Sequence, residues 1–250
     1  MRVFCGYNSE LDRFLKCVVS YVLAKFGDKM TLDSLEEIEL VKKIDGISIE
    51  TDGRCTNGGK KIVLTSRLYD KLPIYEISLL KNNEDFQTIV CTIYHEMGHI
   101  SDKNTMPNIY ATAQNFSNKK QMLAAFFWAE YLAEKRSSET NLVSHQGYCE
   151  DFVKREWKSF KFDFDNPTED NYFWLCKTLS YFMGRTTQVD VRGAYCDKMV
   201  NPLLSEFSKA LGKELVALEQ KLPFDDVALL SSLADILSQY YLVFNQKFSH

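Results

Sequence analysis

The stretch that most narrows the fold is residues 84–101, "EDFQTIVCTIYHEMGHIS". Phe86, Ile89, Val90, Ile93, Met97 and Ile100 recur at spacings of three and four, so they form one apolar stripe on an α-helix. Asn82 or Asn83 can cap this helix, and Glu84 and Asp85 suit the positive N-terminal end of its dipole. Thr88, Cys91, Thr92, His95 and His99 fall on a different face. That places both imidazoles away from the main buried stripe and pointing the same way.

The remaining patterns predict an α+β fold. Leu11, Phe14, Leu15, Val18, Val19, Val22 and Leu23 mark an amphipathic helix over Ser9 to Phe26, which opens the fold. Residues 38–41, 46–51 and 60–66 alternate apolar with polar, and Asn57-Gly58-Gly59 is a turn signal before the last of them. The expectation is a small antiparallel sheet. A second long helix is expected over 119–138, where Ala125, Ala129 and Ala133 make a small-residue strip for close helix packing. Asn166-Pro167-Thr168-Glu169 announces another helix start, and 196–221 and 224–246 both have helical periodicity. The sheet is thus expected to pack on the helix of 84–101 and the helix of 119–138, followed by a mainly helical C-terminal half. The chain divides on this reading into an α+β domain over 1–145 and a helical subdomain over 146–250 packed on it.

The chain has 250 residues, 45% hydrophobic and 26% charged, enough to bury a substantial core unaided. Its formal net charge is −4, with both signs interspersed, so it offers no electrostatic footprint for nucleic acid or an anionic membrane. The N-terminal "MRVFCGYNSELDRF" lacks the apolar core of a secretory signal, and no later run is expected to reach the roughly 18 apolar residues of a spanning helix. A soluble, cytoplasmic protein is expected. The seven cysteines are scattered without C-x-x-C spacing, which predicts reduced and mostly buried thiols rather than a disulfide framework or a thiolate zinc cluster.

Within the helix of 84–101, His95-Glu96-Met97-Gly98-His99 has the form H-E-x-x-H. Two imidazoles four residues apart share a helix face, where their neutral ring nitrogens can both reach a zinc ion at about 2.1 Å. Glu96 lies one residue from His95 and is free to contact a zinc-bound water. Zinc would lower the pKa of that water while the carboxylate accepted its proton, so that hydroxide could attack an amide carbonyl near neutral pH. With only four histidines in the chain, chance would produce this motif in roughly one such sequence in a few hundred.

A catalytic zinc takes a third protein ligand and leaves a position for water. The continuation H-x-x-G-x-x-H would need histidine at 105, where Thr105 stands. His145 is isolated and His250 is the last residue, so a carboxylate is the better candidate. Glu130, in Glu130-Tyr131-Leu132-Ala133-Glu134, sits among Phe126, Phe127, Trp128 and Tyr131, where a carboxylate would be partly buried and would need a cation. Glu134 and His145 are the alternatives.

His95-Glu96-Met97-Gly98-His99 and Glu130-Tyr131-Leu132-Ala133-Glu134 together resemble the gluzincins, metallopeptidases in which H-E-x-x-H is completed by a glutamate on a downstream helix. The resemblance covers about residues 35–140 and extends to compact minimal members and to intracellular peptidases that cleave repressors of mobile elements. It implies one Zn2+ held by His95, His99 and Glu130, with Glu96 as general base acting on a peptide or protein substrate. It also implies that Glu134 or Asp102 orients a histidine ligand, although Glu134 reads equally as a surface acid paired with Lys135 or Arg136. Gluzincins often stabilise the oxyanion with a Tyr or His beyond the glutamate helix. Tyr148, Tyr172, Tyr181, Arg185 and His145 are available; Tyr181, in "LSYFMGR", is the candidate, against a plain core role for the same ring. An extended peptide is expected to add to the strand at 61–66 as the sheet edge. The competing function is a zinc-holding regulatory or protein-binding module with weak catalysis, against which the retained Glu96 argues. A deformylase-like amidase would need a cysteine ligand and glycine-rich segments that have no match here.

Overall fold

The computed structural model describes residues 1–44, 52–156, 169–187, 189–199 and 201–248. The class is α+β, with a mainly helical C-terminal half. Packing divides the chain into two compact units, Met1–Thr105 with Arg136–Val143, and Met106–Lys135 with Ser144–His250. This division differs from one at 145/146 in grouping Met106–Lys135 with Ser144–His250, and it runs through one continuous helix. The expected strand at 46–51, the helix start at 166–168 and His250 lie outside the described residues.

The first unit begins with β1 (Arg2–Cys5), followed by α1 (Ser9–Phe26), β2 (Glu37–Val41), β3 (Gly53–Thr56) and β4 (Lys61–Thr65). Asn8 caps α1, its side-chain oxygen accepting from Glu10 N at 2.9 Å and Leu11 N at 3.0 Å. The sheet order is β1-β2-β4-β3, with β1 parallel to β2, β2 parallel to β4, and β3 antiparallel to β4. The antiparallel sheet expected from the sequence is therefore corrected to a mixed one. Period-two alternation is the same for either strand direction, and the connection decides the direction. The whole of α1 intervenes between β1 and β2, returning the chain to run parallel, whereas the Asn57-Gly58-Gly59 turn, with φ of +49°, +62° and +82°, folds β4 back on β3. β1 went unread because four residues show too little alternation.

One face of the sheet is buried and the other open. Ile38, Leu40, Ile62 and Leu64 join a core with α1 and with the apolar stripe of α2 (Glu84–Thr105), which carries the H-E-x-x-H motif. Asn83 accepts from Phe86 N at 2.9 Å and is the cap of α2. The second face of α2 is not a solvent face: Cys91, His95, Glu96, His99 and Asp102 are all buried alongside the apolar stripe.

The second unit is helical. Its main elements are α3 (Lys119–Ser138), α4 (Glu169–Arg185), α5 (Val189–Asp197), α6 (Pro202–Glu219) and α7 (Ser231–Phe248). The last residues of α3, from Arg136, belong to the first unit. The helix expected over 196–221 starts at Pro202, because proline is tolerated at the first helical position but not inside, and Asn201 caps it by accepting from Leu203 N at 2.9 Å. The core is built on Phe127, Trp128, Tyr131, Phe152, Phe182 and Phe207. Ala125, Ala129 and Ala133 are buried as expected of a packing strip. Close helix contact on α3 is made by Gly184 of α4, where an added Cβ would lie 2.8 Å from Lys135 N.

The expectation that no apolar run reaches spanning length is corrected. Val227–Phe244 has a mean hydropathy of 1.5 over 18 residues, long and apolar enough to cross a membrane by length and composition. In the structure Leu230, Leu233, Leu237 and Phe244 enter the second unit's core while Asp235 pairs with Lys120, the one-sided pattern of a helix lying on a core.

Candidate metal centre

The motif helix sets the first two groups of the site. His95 and His99 lie one turn apart on α2, their Nε2 atoms 3.1 Å from each other and their ring planes at 87°. Two nitrogens at about 2.05 Å from one tetrahedral ion would stand about 3.3 Å apart, close to this separation. Protons on both Nε2 atoms would repel at 3.1 Å, so at least one nitrogen turns a bare lone pair toward the other ring. The histidines are 8% and 9% exposed, within a helix that is buried on both faces.

Glu130 completes the group. Each of His95, His99 and Glu130 offers one ligand atom, all within 4.8 Å of one another, and all three residues are buried. Two imidazoles and a carboxylate are a donor set that suits a divalent ion with borderline character, and a buried carboxylate beside two imidazoles is stabilised by a cation there. These residues can therefore hold a metal ion. Within the first unit, the last turn of α3 is fastened to α2. Arg136 donates to Asp102 at 2.6 and 3.3 Å, and the Ser137 hydroxyl donates to the Cys91 carbonyl at 3.1 Å.

The acids expected to orient the ligands have arginine partners. Asp102 is 2% exposed and paired with Arg136; Glu134 is 5% exposed and meets Arg185 Nε at 2.5 Å. The reading of Glu134 as a surface acid paired with Lys135 or Arg136 is thus overturned. It failed because Glu134, one turn beyond Glu130, shares the side of α3 that α4 covers through Gly184.

Glu96 stands outside the three-residue group, its side chain turned to β3. The Cys55 thiol lies 3.2 Å from both Glu96 Oε2 and Glu96 O, and Gly53 leaves room for the glutamate's Cγ. Sequence reasoning missed both residues of β3. A glycine within a strand, which often marks close approach of another chain segment, was the available signal at 53; nothing marked Cys55.

Tyr181 is half-buried on α4, its ring beneath Lys177 Nζ at 5.7 Å and Arg185 at 5.8 Å. It is not a member of the His-His-Glu group. His145, the alternative third ligand, lies instead beside Arg185 and Glu134 in the second unit; burial is the main cause lowering its pKa, followed by the Arg185 charge. Arg185 also stacks on the Tyr148 ring at 3.9 Å. None of the seven cysteines is in a disulfide, and five of them are buried.

No protein family model, curated protein or solved structure matches the chain.

Proposed function

We propose that the chain is a zinc-dependent endopeptidase of the gluzincin kind, with His95, His99 and Glu130 as the zinc ligands and Glu96 as general base. The observation that carries this reading is the division of labour among buried polar groups. Three residues converge as a ligand set within 4.8 Å, while Glu96, adjacent in sequence to one of them, is held apart from that set against β3. A site serving structure alone has no use for such a separate carboxylate.

When bound, zinc supplies Lewis acidity that makes water a nucleophile near neutral pH. The neutral imidazoles of His95 and His99 and the carboxylate of Glu130 hold the ion. Glu96 takes the proton of the attacking water and returns it to the departing amine. Tyr181 remains a candidate oxyanion donor. The strand open to an extended peptide is β3 rather than the segment at 61–66: β4 is paired on both sides, by β2 and β3, whereas β3 is an edge among the described residues. The expectation of β4 as the edge failed because the Asn57-Gly58-Gly59 turn puts β3 outside it.

The test compares wild type with Glu96→Gln on a mixed peptide pool, each checked for bound zinc. The substitution keeps shape and ligands but removes the base, and is expected to lower turnover at least about 100-fold with zinc content unchanged. Equal cleavage by both proteins would exclude Glu96 as base. Cleavage by neither, at full zinc loading, would favour a zinc-holding binding module.

A further inference from the structure

We propose that β3 is a cradle for the Glu96 carboxylate, with Cys55 and Gly53 as positioning residues; their effect on turnover rests on the hydrolytic reading above. Residues 53 and 55 are two apart on a strand, so they share a face, and that face meets Glu96. Cys55 Sγ is 3.2 Å from Glu96 Oε2 and 3.2 Å from the Glu96 carbonyl oxygen. A thiol has one hydrogen to donate, and a carboxylate oxygen is a stronger acceptor than a peptide carbonyl.

Gly53 acts through space rather than through backbone conformation. A Cβ there would stand 2.9 Å from Glu96 Cγ, 3.1 Å from Oε1 and 3.2 Å from Thr92 Cγ2. The volume a side chain would occupy at 53 is thus taken by the glutamate, with Thr92 one turn back on α2 closing the same space. A glutamate has several rotatable bonds, and a base works only from within hydrogen-bond reach of the proton it takes. Contacts on both its stem and its carboxylate hold that geometry ready.

The first readout requires no turnover. The S–H stretch of Cys55, identified in the infrared spectrum as the band missing from Cys55→Ala, is expected at lower frequency than the other thiol bands. It should move up in Glu96→Ala and change in Gly53→Ala, whose methyl displaces the glutamate. A band that stays in place in Glu96→Ala overturns the proposal, because the thiol is then not bonded to the carboxylate. The second readout is cleavage of the peptide pool by zinc-loaded protein. Cys55→Ala is expected to lower kcat about tenfold with KM and zinc content held, and Cys55→Ser to recover most of that loss, since its hydroxyl donates to the same carboxylate. Equal losses in the two variants, or a change in KM alone, would reject the positioning role. A shifted thiol band in a wild type that cleaves nothing would fail the hydrolytic reading and leave the cradle standing.

Discussion

In the first unit Lys61 bridges Glu37 and Glu39 at 2.7 and 2.6 Å on the open face of the sheet, whereas in the second the pair of Arg185 with Glu134 lies where the carboxylate side chain is 7% exposed. The contrast follows from architecture. A sheet covered on one face always has an outer face for charge, but a helix packed among helices must satisfy its polar groups internally. On α3, Tyr131 donates to Glu219, Lys135 Nζ meets the same carboxylate at 2.8 Å, and Arg192 donates to the Tyr131 hydroxyl at 3.3 Å. The first unit's buried pair, Asp102 with Arg136, also uses α3. This helix collects buried charge in both units: Glu134 takes a guanidinium partner, and Glu130 belongs to the group with His95 and His99 that could hold a metal ion.

The largest effect that could break the comparison is metal removal. If Glu130 serves a cation rather than the fold alone, excess zinc should stabilise wild type by about 4 kcal/mol at a thousandfold excess over Kd, read as a rise in Tm. His95→Ala and Glu130→Ala should show no rise. A full zinc-dependent rise in Glu130→Ala would remove it from the ligand set.

Next comes the stability cost of charge in the two settings. Glu134→Ala strands the Arg185 guanidinium and is expected to cost about 3 kcal/mol by denaturant unfolding. Lys61→Ala, on the open sheet face, should cost less than about 1 kcal/mol. Similar costs for the two would show that burial is not what separates the units.

The smallest effect sharpens the picture around Arg185. His145 has its pKa held below the ordinary 6.5 by burial and then by Arg185, with Glu134 opposing. The folded chain therefore takes this proton less readily than the unfolded chain does. The stability His145 contributes is present above the unfolded value and is lost as pH falls through 6.5 toward the depressed folded value. Tm followed downward from neutral pH should fall less steeply in His145→Gln; parallel curves would assign the acid sensitivity elsewhere.

What could be read from the chain alone was local. The stripe at Phe86, Ile89, Val90, Ile93 and Met97 sets α2, the periodicity from Leu11 sets α1, and both helices have the expected starts. Spacing of i,i+4 is itself a distance on a helix, so His95 and His99 were already a pair in the sequence. Residue types also singled out Glu130, because a carboxylate among Phe127, Trp128 and Tyr131 has few alternatives to a cation. Strand direction was beyond reach, since alternation carries no sign and the partner is chosen by what the intervening chain does. The surroundings of Glu96 were likewise out of reach: Gly53 and Cys55 are more than forty residues away along the chain, and their approach depends on the order β1-β2-β4-β3, which puts β3 outside β4 and against α2. Short-range periodicity thus determined the helices and the His95–His99 pair, while the partners of Glu96, Asp102 and Glu134 were decided by which helices and strands pack within each unit.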